Sequence, residues 1–250
     1  MKIGAKVFAH QSCGSTNDLA REMALSGEEE GTVVTARAQT QGRGTKGRTW
    51  HSPAGGGLYM SVILRPPAAD LSLLPLAAGL GVRDGILEAG GVQARLKWPN
   101  DLVWNKRKLG GILCEARGGD GPDRFAVLGI GLNLTQDERD FPEDIRAAAA
   151  SLRMAGGWDG DEQRLFSGLC AGIERWYGVF RDGRARDILD AYRDAASFAP
   201  GDVIILRRDD GASLRGRWAG FDDRGGLVLD LPEGRAVFFS AEAVSLEDAG

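Results

Sequence analysis

The chain has 250 residues, is 43% hydrophobic, and sets 31 Lys and Arg against 35 Asp and Glu, for a net charge of −4. That length fits one large domain or a large and a small one, with enough apolar residues for a substantial core. The acidic balance argues against a general nucleic-acid binder, and no apolar run of about 18 residues suggests a membrane span. The N-terminus lacks the apolar core of a signal peptide. Cys13, Cys114 and Cys170 are odd in number, far apart and without metal-ligand spacing, which fits a reduced, cytoplasmic protein. With only His10 and His51, histidine catalysis and zinc sites are disfavoured.

A short apolar segment around Val7-Phe8-Ala9 predicts an edge strand. Ser15-Thr16-Asn17-Asp18 precedes a helical apolar pattern and reads as an N-cap. Thr32 to Ala36 is β-branched and predicts a strand. Leu58 to Leu64 alternates and predicts another, and Leu73, Leu76, Ala77, Leu80 and Leu87 recur at helical spacing. Strands are expected at 94–98, 102–104, 108–115 and 124–134, with turns at Pro99-Asn100-Asp101 and Asn105-Lys106-Arg107. Gly129 and Gly131 interrupt the last strand, which suggests close approach of a ligand to the backbone. Helices are expected at 143–153, 162–181 and about 184–194; Leu165, Leu169, Ile173 and Trp176 share a face of the second. After Phe198-Ala199-Pro200-Gly201 the texture changes to short β segments at 203–208, 214–221, 226–231 and 235–239. These fit a small β-barrel of about 50 residues.

One stretch between the first two helical patterns, Gln39 to Trp50, interleaves Gly42, Gly44 and Gly47 with Arg43, Lys46 and Arg48. Glycine lets main-chain N–H groups approach a ligand, and successive N–H groups form anion-holding concavities. Arg and Lys add charge suited to carboxylate or phosphate oxygens. The spacing also matches G-x-G-x-x-G. A dinucleotide site needs a helix to start there, but Pro53 and three consecutive glycines follow. A Walker A loop fails too, because no Gly-Lys-Ser/Thr closes it.

Four segments stand out together: Ser15-Thr16-Asn17, Gln39 to Trp50, Lys97 to Gly111, and Gly129 to Asn133. In order and spacing they closely resemble the biotin protein ligases, as does the barrel opening Pro200-Gly201-Asp202-Val203. The motifs are Gly42-Arg43-Gly44-Thr45-Lys46-Gly47-Arg48 with Trp50, Lys97-Trp98-Pro99-Asn100-Asp101, Lys108-Leu109-Gly110-Gly111-Ile112-Leu113, and Gly129-Ile130-Gly131-Leu132-Asn133. The resemblance implies an α+β fold with a mixed, mainly antiparallel sheet flanked by helices, akin to class II aminoacyl-tRNA synthetases. It also implies a Src-homology-3-like β-barrel, giving a catalytic domain at 1–196 and a barrel domain at 197–250.

The activity implied is that of a monofunctional biotin–[acetyl-CoA carboxylase] ligase. Biotin attacks ATP to form biotinyl-5′-AMP, and a lysine of a biotin carboxyl carrier domain then takes the biotin. Two anions meet in the first step, so cations and N–H donors should dominate catalysis. By resemblance Lys108, Arg43 and Asp101 are catalytic, with Asp101 orienting the incoming lysine or holding Mg²⁺. Ser15, Thr16, Asn17, Gln39, Gly42, Arg43, Gly44, Thr45, Lys108, Gly111 and Gly131 would bind biotin. Arg43, Lys46, Arg48, Trp50, Asn100, Lys108 and Asn133 would bind ATP. Thr45 stands where the family often has a second arginine, so faster escape of the adenylate is expected. The catalytic pattern begins about fifteen residues from Met1, which leaves no room for the family's occasional DNA-binding module, so no nucleic-acid partner is expected. The resemblance allows a homodimer. A lipoate-protein ligase of the same fold is the nearest rival, disfavoured by the Gly-Arg-Gly loop and the barrel. A non-catalytic ligand-binding module is disfavoured by Lys108 and Arg43, and a nucleic-acid adapter by the net acidity.

Overall fold

The computed structural model describes residues 2–67, 70–118, 124–156 and 158–247. In chain order the first part contains β1 (Val7–His10), α1 (Thr16–Leu25), β2 (Val33–Ala36), β3 (Gly57–Leu64), α2 (Leu74–Gly90), β4 (Arg95–Lys97), β5 (Asp101–Trp104), β6 (Arg107–Arg117) and β7 (Phe125–Asn133). The helices α3 (Glu143–Arg146), α4 (Glu162–Arg181) and α5 (Ala185–Ala195) follow. Seven strands form one sheet in the order β1-β2-β3-β7-β6-β5-β4. Only β1 and β2 run parallel, so the sheet is mixed and mainly antiparallel, as expected.

Alternation along the strands divides the sheet into two faces. On one face Met60, Val62, Leu64, Leu128 and Ile130 join the main core beneath α2 and α4. On the other, Ile63, Phe125 and Val127 pack against Ala20 and Ala24 of α1 in a smaller cluster. Helices α2 and α4 touch backbone to backbone. A Cβ added to Gly172 would stand 2.2 Å from the Gly81 carbonyl oxygen, and one on Gly85 would stand 2.7 Å from Gly168. Side chains there would push the helices apart.

A second, antiparallel sheet follows, of β8 (Val203–Arg207), β9 (Ser213–Phe221), β10 (Leu227–Leu231), β11 (Gly234–Phe238) and β12 (Ala243–Leu246), in the order β11-β10-β9-β8-β12. The fifth strand goes beyond the four segments expected from sequence. This sheet shares the main core through edge-on aromatic pairs, Phe198 with Trp218 at 4.8 Å and Tyr192 with Phe221 at 5.5 Å between centroids. The indole N–H of Trp98 donates to the Gly225 carbonyl at 3.0 Å. Among the described residues no helix is long and apolar enough to cross a membrane.

One expected helix is cut short. The run 143–153 is helical only over Glu143–Arg146, although four alanines follow. Residues 148–150 instead lie extended against β6. The Lys108 N–H donates to the Ala148 carbonyl at 2.6 Å, and the Ala150 N–H to the Lys108 carbonyl at 2.8 Å. Arg107 also donates to the Ala149 and Arg146 carbonyls. Tertiary hydrogen bonds outweigh alanine's helix propensity, which is only a weak prior.

Candidate functional site

Along the face of β7 covered by α1, the residues run Phe125, Val127, Gly129, Gly131, Asn133. The helix covers the first two, and where it begins, the side chains vanish. Gly129 accommodates Asn17, whose Oδ1 would lie 2.2 Å from an added Cβ. Gly131 accommodates the Trp50 indole, with Nε1 2.5 Å from the same construction. Gly131 is in register with Gly111 on β6 and Tyr59 on β3. The result is a crevice of about 370 Å³, floored by backbone, within the size range of small-molecule sites.

A chain of polar contacts fixes the wall beside α1. The Thr16 N–H donates to Gln39 Oε1 at 2.9 Å, Gln39 Nε2 donates to Ser52 Oγ at 2.9 Å, and Ser52 Oγ donates to the Trp50 carbonyl at 3.0 Å. Ser61 Oγ donates to Asn17 Oδ1 at 2.6 Å and lies 2.8 Å from Thr16 Oγ1. Ser15 occupies the N-cap position but its side chain does not cap α1; it is buried and lines the crevice. The cap expected from sequence is thus supplied across space by Gln39. Gly42 admits no side chain, because a Cβ would stand 2.5 Å from both Ser52 Oγ and the Trp50 carbonyl. The loop closes on itself through Gly44 N–H to the Arg48 carbonyl at 2.7 Å and Trp50 N–H to the Gly42 carbonyl at 2.9 Å.

The cationic end of the crevice depends on a bulge. Lys108 is opposite Val103, but Gly110 is opposite Leu102, so Leu109 is the extra residue. Uninterrupted alternation would put Lys108 and Gly111 on opposite faces; the bulge lets them share one. Lys108 Nζ lies 2.5 Å from Asp101 Oδ1 and 5.4 Å from the centroid of the Trp50 ring. Lys97 lies half-buried in the same wall. Burial lowers its pKa; Asp101 opposes this, while Lys108 and Arg48 add to it. Asp101 is the carboxylate among the lining residues. Asn100 Nδ2 donates to the Ile112 carbonyl at 2.9 Å, and Asn133 Nδ2 donates to the carbonyls of Ala150 at 3.0 Å and Lys108 at 3.3 Å. Those two amides therefore hold the frame around Lys108.

The structure brings most of the predicted site residues to this crevice: Ser15, Thr16, Asn17, Gln39, Arg43, Gly44, Thr45, Arg48, Trp50, Asn100, Asp101, Lys108, Gly111, Gly131 and Asn133 all line it. Gly42 lies just behind, under Ser52. Lys46 turns away, with its ammonium paired to Asp209 in the β8–β9 turn and holding that carboxyl below its ordinary pKa. Arg48 donates to Thr45 Oγ1 at 3.1 Å and to the Glu242 carbonyl at 3.4 Å. The Arg43 guanidinium faces carboxylates, Glu115 at 2.9 Å through both nitrogens and Asp18 at 2.8 Å. Sequence reading assigned no role to Lys97, Glu115, Ser52, Ser61 or residues 148–150. Glu115 carried a signal, as a lone carboxylate inside an apolar strand. The cysteines are free, and burial pushes Cys114 and Cys170 up to about 12, so neither offers a thiolate near neutrality.

A mixed sheet bearing a backbone-floored crevice, with cations gathered at one end and directed amides at the other, defines a site for a small anionic ligand. The sequence profile of the Biotin/lipoate A/B protein ligase family matches residues 9–133. The chain is 35% identical over 243 residues to the bifunctional ligase/repressor BirA of Bacillus subtilis, covering 96% of this chain and 74% of that protein. It is 36% identical to the biotin–[acetyl-CoA-carboxylase] ligase of Mycobacterium tuberculosis, covering 91% and 84%. The biotin protein ligase of Aquifex aeolicus, solved in complex with biotin and ATP, superposes with a TM-score of 0.83 at 27% identity, covering 97% of this chain and all of that one. The chain belongs to the biotin/lipoate A/B protein ligase family.

Proposed function

We propose that the chain joins biotin to ATP and passes it to a carrier protein. In the first step a biotin carboxylate oxygen attacks the α-phosphorus, the bond to the β-phosphate oxygen breaks, and pyrophosphate leaves. In the second, a carrier lysine attacks the anhydride carbonyl, gives up a proton, and AMP leaves. The observation that carries this reading is the bulge that turns Lys108 over a floor without side chains, beside Lys97 and Arg48. Three cations there can neutralise the meeting carboxylate and phosphates, which repel each other in the approach to the transition state. Lys108 and Asp101 act at the reacting atoms. Ser15, Thr16, Gln39 and the main chain of Gly42 and Arg43 take the ureido ring, with Asn17, Gly44, Thr45, Gly111 and Gly131 around the ligand. Arg48, Trp50, Asn100 and Asn133 border the nucleotide, and Lys46 steadies the loop from outside. Asp101 would be the residue to hold a Mg²⁺ that arrives with ATP, and the ion would offset phosphate charge there.

We further read residues 1–196 as the catalytic unit and 197–250 as an attached barrel. The partner is a biotin carboxyl carrier domain in the cytoplasm, nucleic acid has no part in the reaction, and a homodimer is compatible with the open edge of β1. The deciding experiment is mass spectrometry of a carrier domain after incubation with the protein, ATP, Mg²⁺ and either biotin or lipoate. The expected result is a single biotin adduct. A lipoyl adduct alone would transfer the reading to the lipoate branch, and absence of both adducts and of pyrophosphate would refute it.

A further inference from the structure

The Arg43 side chain is already committed within the protein. Its two terminal nitrogens donate to Glu115 on β6, at 2.9 Å each, and Nη2 also donates to Asp18 in the first turn of α1, at 2.8 Å. Asp18 receives Arg21 as well, at 3.1 Å, so two arginines and two carboxylates balance. Glu115 also accepts from Asn17 Nδ2 at 2.8 Å. One carboxylate thus joins the loop, the start of α1 and β6. The place matters too. Glu115 lies four residues beyond Gly111 on the same strand, roughly 13 Å away, whereas Lys108 Nζ packs 3.4 Å from the position of a Gly111 Cβ.

We propose that Glu115, assisted by Asp18, is a positioning residue that uses the Arg43 guanidinium as a tether for the glycine loop. Sequence reading set Arg43 among the groups that neutralise the reacting anions. In this proposal its side chain takes no part in that, and its main chain, with that of Gly42, is what the ligand meets. Bidentate, charge-assisted bonds fix direction as well as distance, so the tether orients the loop before the ligand arrives. Moving Arg43 to a phosphate would strip Glu115 of the guanidinium that pairs with it and leave that guanidinium far from the Lys108 end. The inference rests on the ligase reading above.

Glu115→Gln tests it. Glutamine keeps an acceptor for Asn17 and removes the charge that holds Arg43. Biotin binding without nucleotide, by titration calorimetry, and steady-state pyrophosphate release are measured for the wild type, Glu115→Gln, Arg43→Gln and the double variant. The expected result is a Kd and KM for biotin raised about three- to tenfold in Glu115→Gln, with kcat at saturation within about twofold of wild type. The double variant should match the worse single variant, because both changes cut the same tether. Tighter biotin binding in Glu115→Gln would overturn the proposal, because it would mean that the carboxylate competes with the ligand for Arg43. Additive losses, or a kcat that falls with KM unchanged, would also overturn it. Asp18→Asn, on the exposed side, gives the same signs if Glu115→Gln melts early. Failure of the wild type to bind biotin would instead refute the ligase reading itself.

Discussion

Gly131→Ala puts a methyl group where the Trp50 indole now lies. The new Cβ would stand 2.5 Å from Nε1, 2.6 Å from Cε2 and 3.0 Å from Cζ2. Ordinary contact between such atoms begins near ~3.5 Å, so something must retreat by about 1 Å. Strand β7 cannot, because Gly131 is paired on one side with Tyr59 and on the other with Gly111. The indole has to move, and its main chain is fastened to Gly42 and Ser52. The ring already borders the floor, with Cζ3 3.6 Å from the position of a Gly111 Cβ and Lys108 Nζ 5.4 Å from its centroid. Overpacking of this kind costs about 1–3 kcal/mol. If the free protein relieves it by swinging the ring across the floor, the cost reappears as lost affinity, about 5- to 150-fold in the Kd for biotin. Calorimetric titration with biotin, run beside a thermal melt, separates lost binding from lost folding. A Kd within twofold of wild type in a protein of unchanged Tm would refute the reasoning, since no ligand could then be using that floor.

Lys108→Ala should lower pyrophosphate release by about 10²- to 10³-fold, with the circular dichroism spectrum intact, as for loss of one donor aimed at developing charge; near-normal turnover would remove Lys108 from the mechanism. Lys97→Met should raise stability and weaken ATP binding. Burial depresses the Lys97 pKa, so the folded state binds fewer protons than the unfolded one between its own value and the ordinary 10.5. Stability of the wild type therefore rises with pH across that window, and the advantage of methionine in Tm at pH 7 should shrink towards pH 10.5. A gain that persists at high pH would contradict this. Gly172→Ala forces a methyl group against the Gly81 carbonyl and should cost about 3 kcal/mol, or roughly 6–12 °C in Tm by calorimetry. A melt within 2 °C of wild type would mean that the helices part freely.

Period and punctuation made most of the frame legible. The apolar spacing from Leu73 to Leu87 and from Leu165 to Trp176 foretold α2 and α4, and the glycines of β7 foretold the floor. The misreadings share a physical cause, because each concerned a choice between local and distant partners. The alanines at 147–150 have the best helix propensity available, yet they serve β6. Strand β12 is four residues long with alternate positions exposed, and only pairing with β8 defines it. Cations between glycines announce an anion, but the sequence alone could not say whether that anion belongs to a ligand or to Glu115 and Asp18. The bulge at Leu109, which aims Lys108, left no mark in the residue pattern.

The glycine loop is moored outside the first sheet as well as within it, through Lys46 to Asp209 and Arg48 to the Glu242 carbonyl. The span recognised by the family profile stops at residue 133. A fragment trimmed to that span would retain all four segments that line or frame the crevice, from Ser15 to Asn133. It would lose the alanine wall beside Lys108 and both outer moorings, leaving the same letters without their arrangement.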